Sequence, residues 1–192
     1  MLDALNAQLI ELDIQSPQSR QLFKEKSKIR VLPKNENIFL EGKANDSEYL
    51  LIRGVLHRYN ISEKGDMITT GFYMAKSVIT PRFARIKDRK SIFSLQTLTE
   101  VVVAEISASE LDRMRQTEEA FERFRQKVLE AELSRIFYFE TVNRCYGAKE
   151  RLLILRKHFP GLENLIPHNY IASFLGITNV SFSRLRHELL GK

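Results

Sequence analysis

The chain has 192 residues, 43% hydrophobic and 28% charged, enough for one or two domains around a sizeable core. No apolar run approaches the roughly 20 residues of a membrane span, and the single cysteine, Cys145, excludes an internal disulfide and a multi-cysteine zinc or iron–sulfur site within one chain. Net charge is +6 and uneven: residues 147–192 hold seven Lys/Arg against three Asp/Glu, which fits either a polyanionic partner or a plain solvated basic surface.

The opening segment "MLDALNAQLIELDIQ" carries acids and no basic stretch, so it is not expected to be a secretory signal, and the cytoplasm is the expected compartment. Ser16-Pro17 pairs an N-cap serine with a proline at the first helical position and predicts a helix through Gln18–Glu25. From Ile29 to Val103 the pattern changes to short strand-like pieces: "KIRVLP", "NIFLEG", "EYLLIRGVLHRYN", "DMITTGFYM" and "SIFSLQTLTEVVVAEIS". Gly42, Gly54 and Gly65 punctuate them, and "EKGD" (63–66) has the chemistry of a tight hairpin turn. Short strands with regularly spaced turns predict an antiparallel barrel or roll.

Ser107 and Glu110 form an S-x-x-E capping box that opens a short helix, and Thr117 followed by two glutamates is the expected start of a longer one. Residues 118–145 place Phe121, Phe124, Val128, Leu129, Leu133 and Ile136 at helical spacing, then turn apolar nearly all round at "IFYF" (136–139). A helix apolar on two sides must bury both. One side fits the roll; the other needs either the same helix of a second subunit or a cover from the C-terminal module. Gly147 breaks the pattern, "AKERLLILRKHF" (148–159) resumes it, and Pro160-Gly161 ends it.

The stretch "IASFLGITNVSFSRLRHELL" (171–190) predicts two helices, about His168–Phe174 and Asn179–Leu189, joined at Leu175-Gly176-Ile177. Gly176 sits where a sharp turn needs a residue without Cβ, Thr178 is a suitable N-cap, and Ala172 is small where the helices cross. Ile171, Leu175, Ile177, Phe182 and Leu185 form the expected inward set. The other face of the second helix carries Asn179, Ser181, Ser183, Arg184, Arg186 and His187. Arginine pairs with guanine, asparagine with adenine, and hydroxyls with backbone oxygens, so this inventory fits a recognition helix in a major groove. A plain helical hairpin in a core is the alternative.

On these residues the sequence resembles a known family. "YIASFLGITNVSFSRLR" is similar to the helix-turn-helix of the cyclic AMP receptor protein/fumarate–nitrate regulator (CRP/FNR) family. Upstream, "NIFLEG", "YLLIRGVLHRY" and "GDMITTGF" resemble its cyclic-nucleotide-binding roll, "VVVAEIS" its last strand, and residues 118–145 its dimerisation helix. The resemblance implies an α+β protein: an N-terminal antiparallel β-roll sensor (1–117), a long dimerisation helix (118–145) and a C-terminal helix-turn-helix reader (146–192). It implies a homodimer on double-stranded DNA, with RNA polymerase and an unknown small-molecule effector as further partners. Base-facing positions fall at Asn179, Val180 and Arg184, with Thr178, Ser181 and Ser183 beside phosphates and Arg186 and His187 completing the face. Nucleotide-responsive members often carry an acid where Val180 stands.

Other departures concern the sensor. The stretch "FYMAKSVITPRFARIKDRKSIFS" lacks the Gly-Glu of the phosphate cassette, and Ser91 stands at the place of its arginine. Without an arginine to pair a buried phosphate, cyclic AMP is not expected to bind. "PRFAR" (81–85) resembles a cassette element placed several residues early. Arg82, Arg85, Lys87, Arg89 and Lys90 form either another anion site or a solvated face. The chain ends directly after the recognition helix, so the terminal hairpin wing is expected to be truncated. Cys145, near the hinge, is expected to be a small buried core residue, with thiol sensing as the alternative.

His168 and Asn169 are expected either to touch phosphate or to cap a helix. His57, His158, His168 and His187 are too scattered for a cupin-like metal site, and none of the common hydrolase, P-loop, zincin or dinucleotide signatures occurs. An enzyme is not expected, nor a metal or cofactor. The rival to a DNA-binding regulator is a ligand- or protein-binding roll whose C-terminal hairpin mediates assembly.

Overall fold

The short apolar blocks between turn residues become β1 (Lys28–Leu32), β2 (Asn37–Phe39), β3 (Ser47–Arg53), β4 (Leu56–Ile61), β5 (Met67–Tyr73), β6 (Val78–Ile79), β7 (Ser94–Thr97) and β8 (Val101–Ser107). The computed structural model describes residues 2–79 and 90–190. Two antiparallel sheets, ordered β1-β8-β3-β6 and β2-β7-β4-β5, close over an interior that includes Leu32, Leu51, Leu56, Tyr73, Leu95, Val101 and Val103.

The segment "EYLLIRGVLHRYN" is thus two strands in different sheets, and Gly54 makes the crossing. Its φ is +98°, and a Cβ there would lie 2.4 Å from the Glu100 carbonyl oxygen, so an L side chain is strained and obstructed at once. The expected hairpin between β4 and β5 forms, with the Ser62 N–H donating to the Asp66 carbonyl at 2.9 Å.

Both sheets are also apolar outward. α1 (Leu2–Glu11), α2 (Pro17–Lys26), α3 (Ala108–Thr117) and the first half of α4 (Glu119–Cys145) cover one of them. Leu5, Leu9, Phe23, Phe121, Phe124 and Val128 pack with Leu50, Ile52, Val102 and Ala104. Ser16 caps α2 as expected, accepting from the Ser19 N–H at 3.3 Å. Ser107 caps α3, accepting from the Glu110 N–H at 3.2 Å. Glu110 itself turns to Arg113 and Lys26 instead of completing the box. The expected start of the long helix needs correcting. Thr117 ends α3, its hydroxyl donating back to the Met114 carbonyl at 3.1 Å, and Glu118 is the cap of α4.

The second sheet is covered by the end of α4 together with α5 (Ala148–His158), α6 (Leu162–Leu165), α7 (His168–Leu175) and α8 (Asn179–Leu190). Val55, Phe72 and Leu98 of the roll meet Phe139, Val142, Leu155, Phe159, Phe174 and Phe182. The C-terminal helices therefore bury one side of "IFYF" themselves. Leu133 and Phe137, one turn apart on α4, stay 45% and 65% exposed. The expectation of a buried Cys145 is overturned: it lies on the exposed last turn of α4, beyond the packing that ends at Val142. Among the described residues no helix is long and apolar enough to cross a membrane.

Candidate nucleic-acid interface

The candidate interface is the outer face of α8, and its presentation begins at the turn before it. Gly176 takes φ +65° at the end of α7, where the Ile177 N–H donates back to the Ala172 carbonyl at 3.0 Å. The Thr178 hydroxyl then accepts the Ser181 N–H at 3.1 Å and opens α8. Phe182 is the anchor, 1% exposed, with its ring 5.3 Å from that of His168. Full burial of such a side chain contributes about 1.5–3 kcal/mol. Ile171 and Leu175 are fully inward, and Ile177 and Leu185 pack at the margin of the same cluster.

With that side fixed, Thr178, Asn179, Val180, Ser181, Ser183, Arg184 and His187 are all exposed. Two charged residues of the face are used within the chain. Arg186 is only partly exposed. Its Nε lies 3.2 Å from Glu163, its Nη1 lies 3.3 Å from His168 Nδ1, and its guanidinium sits over Phe182. Glu163 also accepts from Arg156 Nε at 2.6 Å, so one carboxylate ties α5, α6 and α8 together. Glu188, the acid of the face, pairs with Lys149. His168 is turned into this network, its Nε2 3.2 Å from the Glu163 carbonyl, while Asn169 stays exposed. Arg184 and His187 thus stand as the cationic and titratable groups at the exposed centre.

The partner helix α7 is seated on the roll. The Thr69 N–H of β5 donates to Ser173 Oγ at 3.0 Å, Tyr170 meets the His57 ring edge-on at 4.8 Å, and Phe174 lies 5.3 Å from Phe72. His57 is fully buried, with Thr69 Oγ1 and Gln96 Oε1 each 3.2 Å from a ring nitrogen. Burial pushes its pKa down to about 4, against the opposing bond to Gln96.

On the opposite side of the same two strands lies a cavity of about 410 Å³ between the roll and α4, lined by Arg58, Asn60, Thr70, Tyr73, Phe93, Glu132 and Leu133 among others. Arg58 and Arg135 approach Glu132 at 3.3 and 2.6 Å, and the Tyr73 hydroxyl donates to it at 3.4 Å. Burial, then the Glu132 carboxylate, raises the Tyr73 pKa. Sequence reasoning missed this network, because nothing in the local pattern links β4, β5 and α4. Ser91 is buried, with its N–H donating to the Lys43 carbonyl at 2.9 Å and its carbonyl accepting from Gly42 at 2.7 Å. Lys90 is exposed and bridges to Ala44; "PRFAR", Arg82, Arg85, Lys87 and Arg89 lie outside the described residues.

Residues 29–118 match the cyclic nucleotide-binding domain family. The fold resembles FixK2 from Bradyrhizobium japonicum, at 17% identity and a TM-score of 0.73, over 86% of this chain and 85% of that one. It also resembles the c-di-GMP-responsive global regulator CLP of Xanthomonas campestris, at 16% identity and a TM-score of 0.72, over 92% of each chain. A CRP/FNR-family protein from Eubacterium rectale aligns over 92% of this chain and 84% of its own, with 14% identity and a TM-score of 0.70. Comparison with curated proteins gives no match. Residues 29–118 are thus similar to a cyclic nucleotide-binding domain, and the chain taken whole shares its fold with these three structures.

The buried His57 has a measurable consequence. Its folded-state pKa is depressed, so its stabilising contribution is complete above the ordinary histidine value and is lost as pH falls from about 6.5 toward 4. The full shift is worth roughly 3 kcal/mol. Urea midpoints measured from pH 7 to pH 4 should fall more steeply for the native chain than for His57→Gln. Equal slopes would contradict burial of a neutral ring.

Proposed function

We propose that the protein is a sequence-specific DNA-binding transcription regulator, acting in the cytoplasm as a homodimer on a near-palindromic operator. One observation carries this reading: α8 buries Phe182 against its own module and turns Asn179, Val180, Ser183, Arg184 and His187 to solvent. Those groups supply the donors, acceptors and positive charge that base edges and phosphates demand. In this reading residues 1–117 are the sensor roll, 118–145 the dimerisation helix and 146–192 the DNA reader. Thr178, Ser181 and Ser183 contact phosphates. Asn179, Val180 and Arg184 face bases, His187 completes the face beside Arg184, and Arg186 acts mainly by holding α8 to Glu163.

The dimer is supported by Leu133 and Phe137, an apolar seam on α4 left exposed after both sheets are covered. In this reading a two-fold axis relates the two copies of α8, which would enter successive major grooves about 34 Å apart. RNA polymerase is the partner that such a regulator would recruit or block. A small-molecule effector would occupy the cavity between the roll and α4, from which β4 and β5 lead directly to α7. Independence from cyclic AMP is supported by the missing Gly-Glu, by a buried serine at position 91, and by an Arg58 that already faces Glu132.

Binding to duplex DNA, followed by fluorescence anisotropy from 50 to 200 mM salt, should weaken steeply, by on the order of 10³-fold if six or more phosphates are contacted. Arg184→Ala should flatten sequence preference more than it lowers overall retention, and unchanged DNA retention after removal of the basic groups of α8 would overturn the reading. In sedimentation equilibrium, Phe137→Asp should shift the chain from dimer to monomer by placing a charge in the apolar seam. A variant that dimerises like the native chain would move the interface elsewhere.

A further inference from the structure

Val180 is 61% exposed, and among the large hydrophobic side chains described only Phe137 exposes a greater fraction. Helix formation does not account for it, because a β-branched residue in the first turn is less favourable than alanine. Packing does not account for it either, since most of its surface is in water. Its place is central to the candidate interface. Val180, Arg184 and His187 fall at i, i+4 and i+7 and share one stripe of α8. Asn179, Ser181 and Ser183 flank them, all exposed. Val180 is the apolar member of that otherwise polar face.

The major groove presents one apolar group among its donors and acceptors, the C5-methyl of thymine. We infer that Val180 is a specificity-determining residue that reads a thymine methyl in each half-site. This inference rests on the DNA-binding function proposed above and adds the base that this position selects. An acidic side chain there would instead accept from the amino group of cytosine, so valine changes the base selected as well as removing a charge. The spacing adds a constraint. Val180 and Arg184 are four residues apart, roughly 6 Å along the helix axis. Base pairs stack about 3.4 Å apart. The thymine therefore lies one or two base pairs from the guanine that Arg184 pairs with.

The test uses the full chain and a duplex that it selects from a random-sequence pool. That duplex is resynthesised with deoxyuridine replacing one thymine at a time, which deletes the methyl and leaves every hydrogen-bonding group in place. One thymine per half-site should respond, with affinity falling about three- to five-fold, the weight of one buried methyl. Val180→Ala should lose most of that response while keeping the guanine preference and the thermal midpoint of the native chain. If no uracil replacement lowers affinity, or if Val180→Ala responds to uracil as fully as the native chain, the assignment of Val180 is overturned and DNA binding stands. If no duplex is enriched from the pool at all, the DNA-binding reading falls, and this one with it.

Discussion

The paired ends of β4 and β5, at Leu56–His57 and Phe72–Tyr73, have to be buried on both faces, and much of the architecture follows from that requirement. Leu56 and Tyr73 point into the roll, while Val55, His57 and Phe72 point out of it. An outward face with a buried histidine and a phenylalanine cannot be left to water, and the nearest cover is the C-terminal module. Phe159 and Phe174 meet Phe72, Phe139 backs both of them, and Ser173 supplies the acceptor for the Thr69 N–H. An unpaired N–H under that contact would cost about 1–3 kcal/mol. The contact is therefore both an apolar seal and a fixed register between the roll and the C-terminal module.

Because α7 spends its apolar side on the roll, α8 must find its own anchor and does so through Phe182. Its remaining surface is left outward. The Glu163 carboxylate, only 14% exposed, ties Arg156 and Arg186 into the same small module, so α8 is held from two directions while its central stripe stays open. The same strands that seat α7 carry Arg58, Asn60 and Thr70 on the cavity side. The cavity is therefore one strand thickness from the seat of α7.

Much of this was legible in the sequence where local chemistry decides the conformation. Ser16-Pro17, Ser107, the 63–66 turn and the Gly176–Thr178 junction all announce themselves through capping or backbone requirements, and the structure places elements there. The antiparallel α+β architecture was legible for the same reason, as short apolar blocks between turn residues. What the sequence hid was tertiary. α1 is held by Leu5 and Leu9 packing with Phe23 and its neighbours. Arg186 reads as one more basic residue of the exposed face until Glu163, 23 positions earlier, is brought beside it. Cys145 looks like a core residue in a helical pattern, but the packing that would bury it stops at Val142. The Arg58–Glu132–Arg135 cluster joins residues more than 70 positions apart, which no periodicity reveals.

The central claim is geometric: two copies of one outward helix face, related by a two-fold axis, meet one side of a duplex. Methylation interference on a duplex selected by the full chain tests it most directly, because guanine N7 lies in the major groove. The account predicts two patches of interference, symmetric in sequence and about 10 base pairs apart. A single patch, or two patches without that spacing and symmetry, would contradict it.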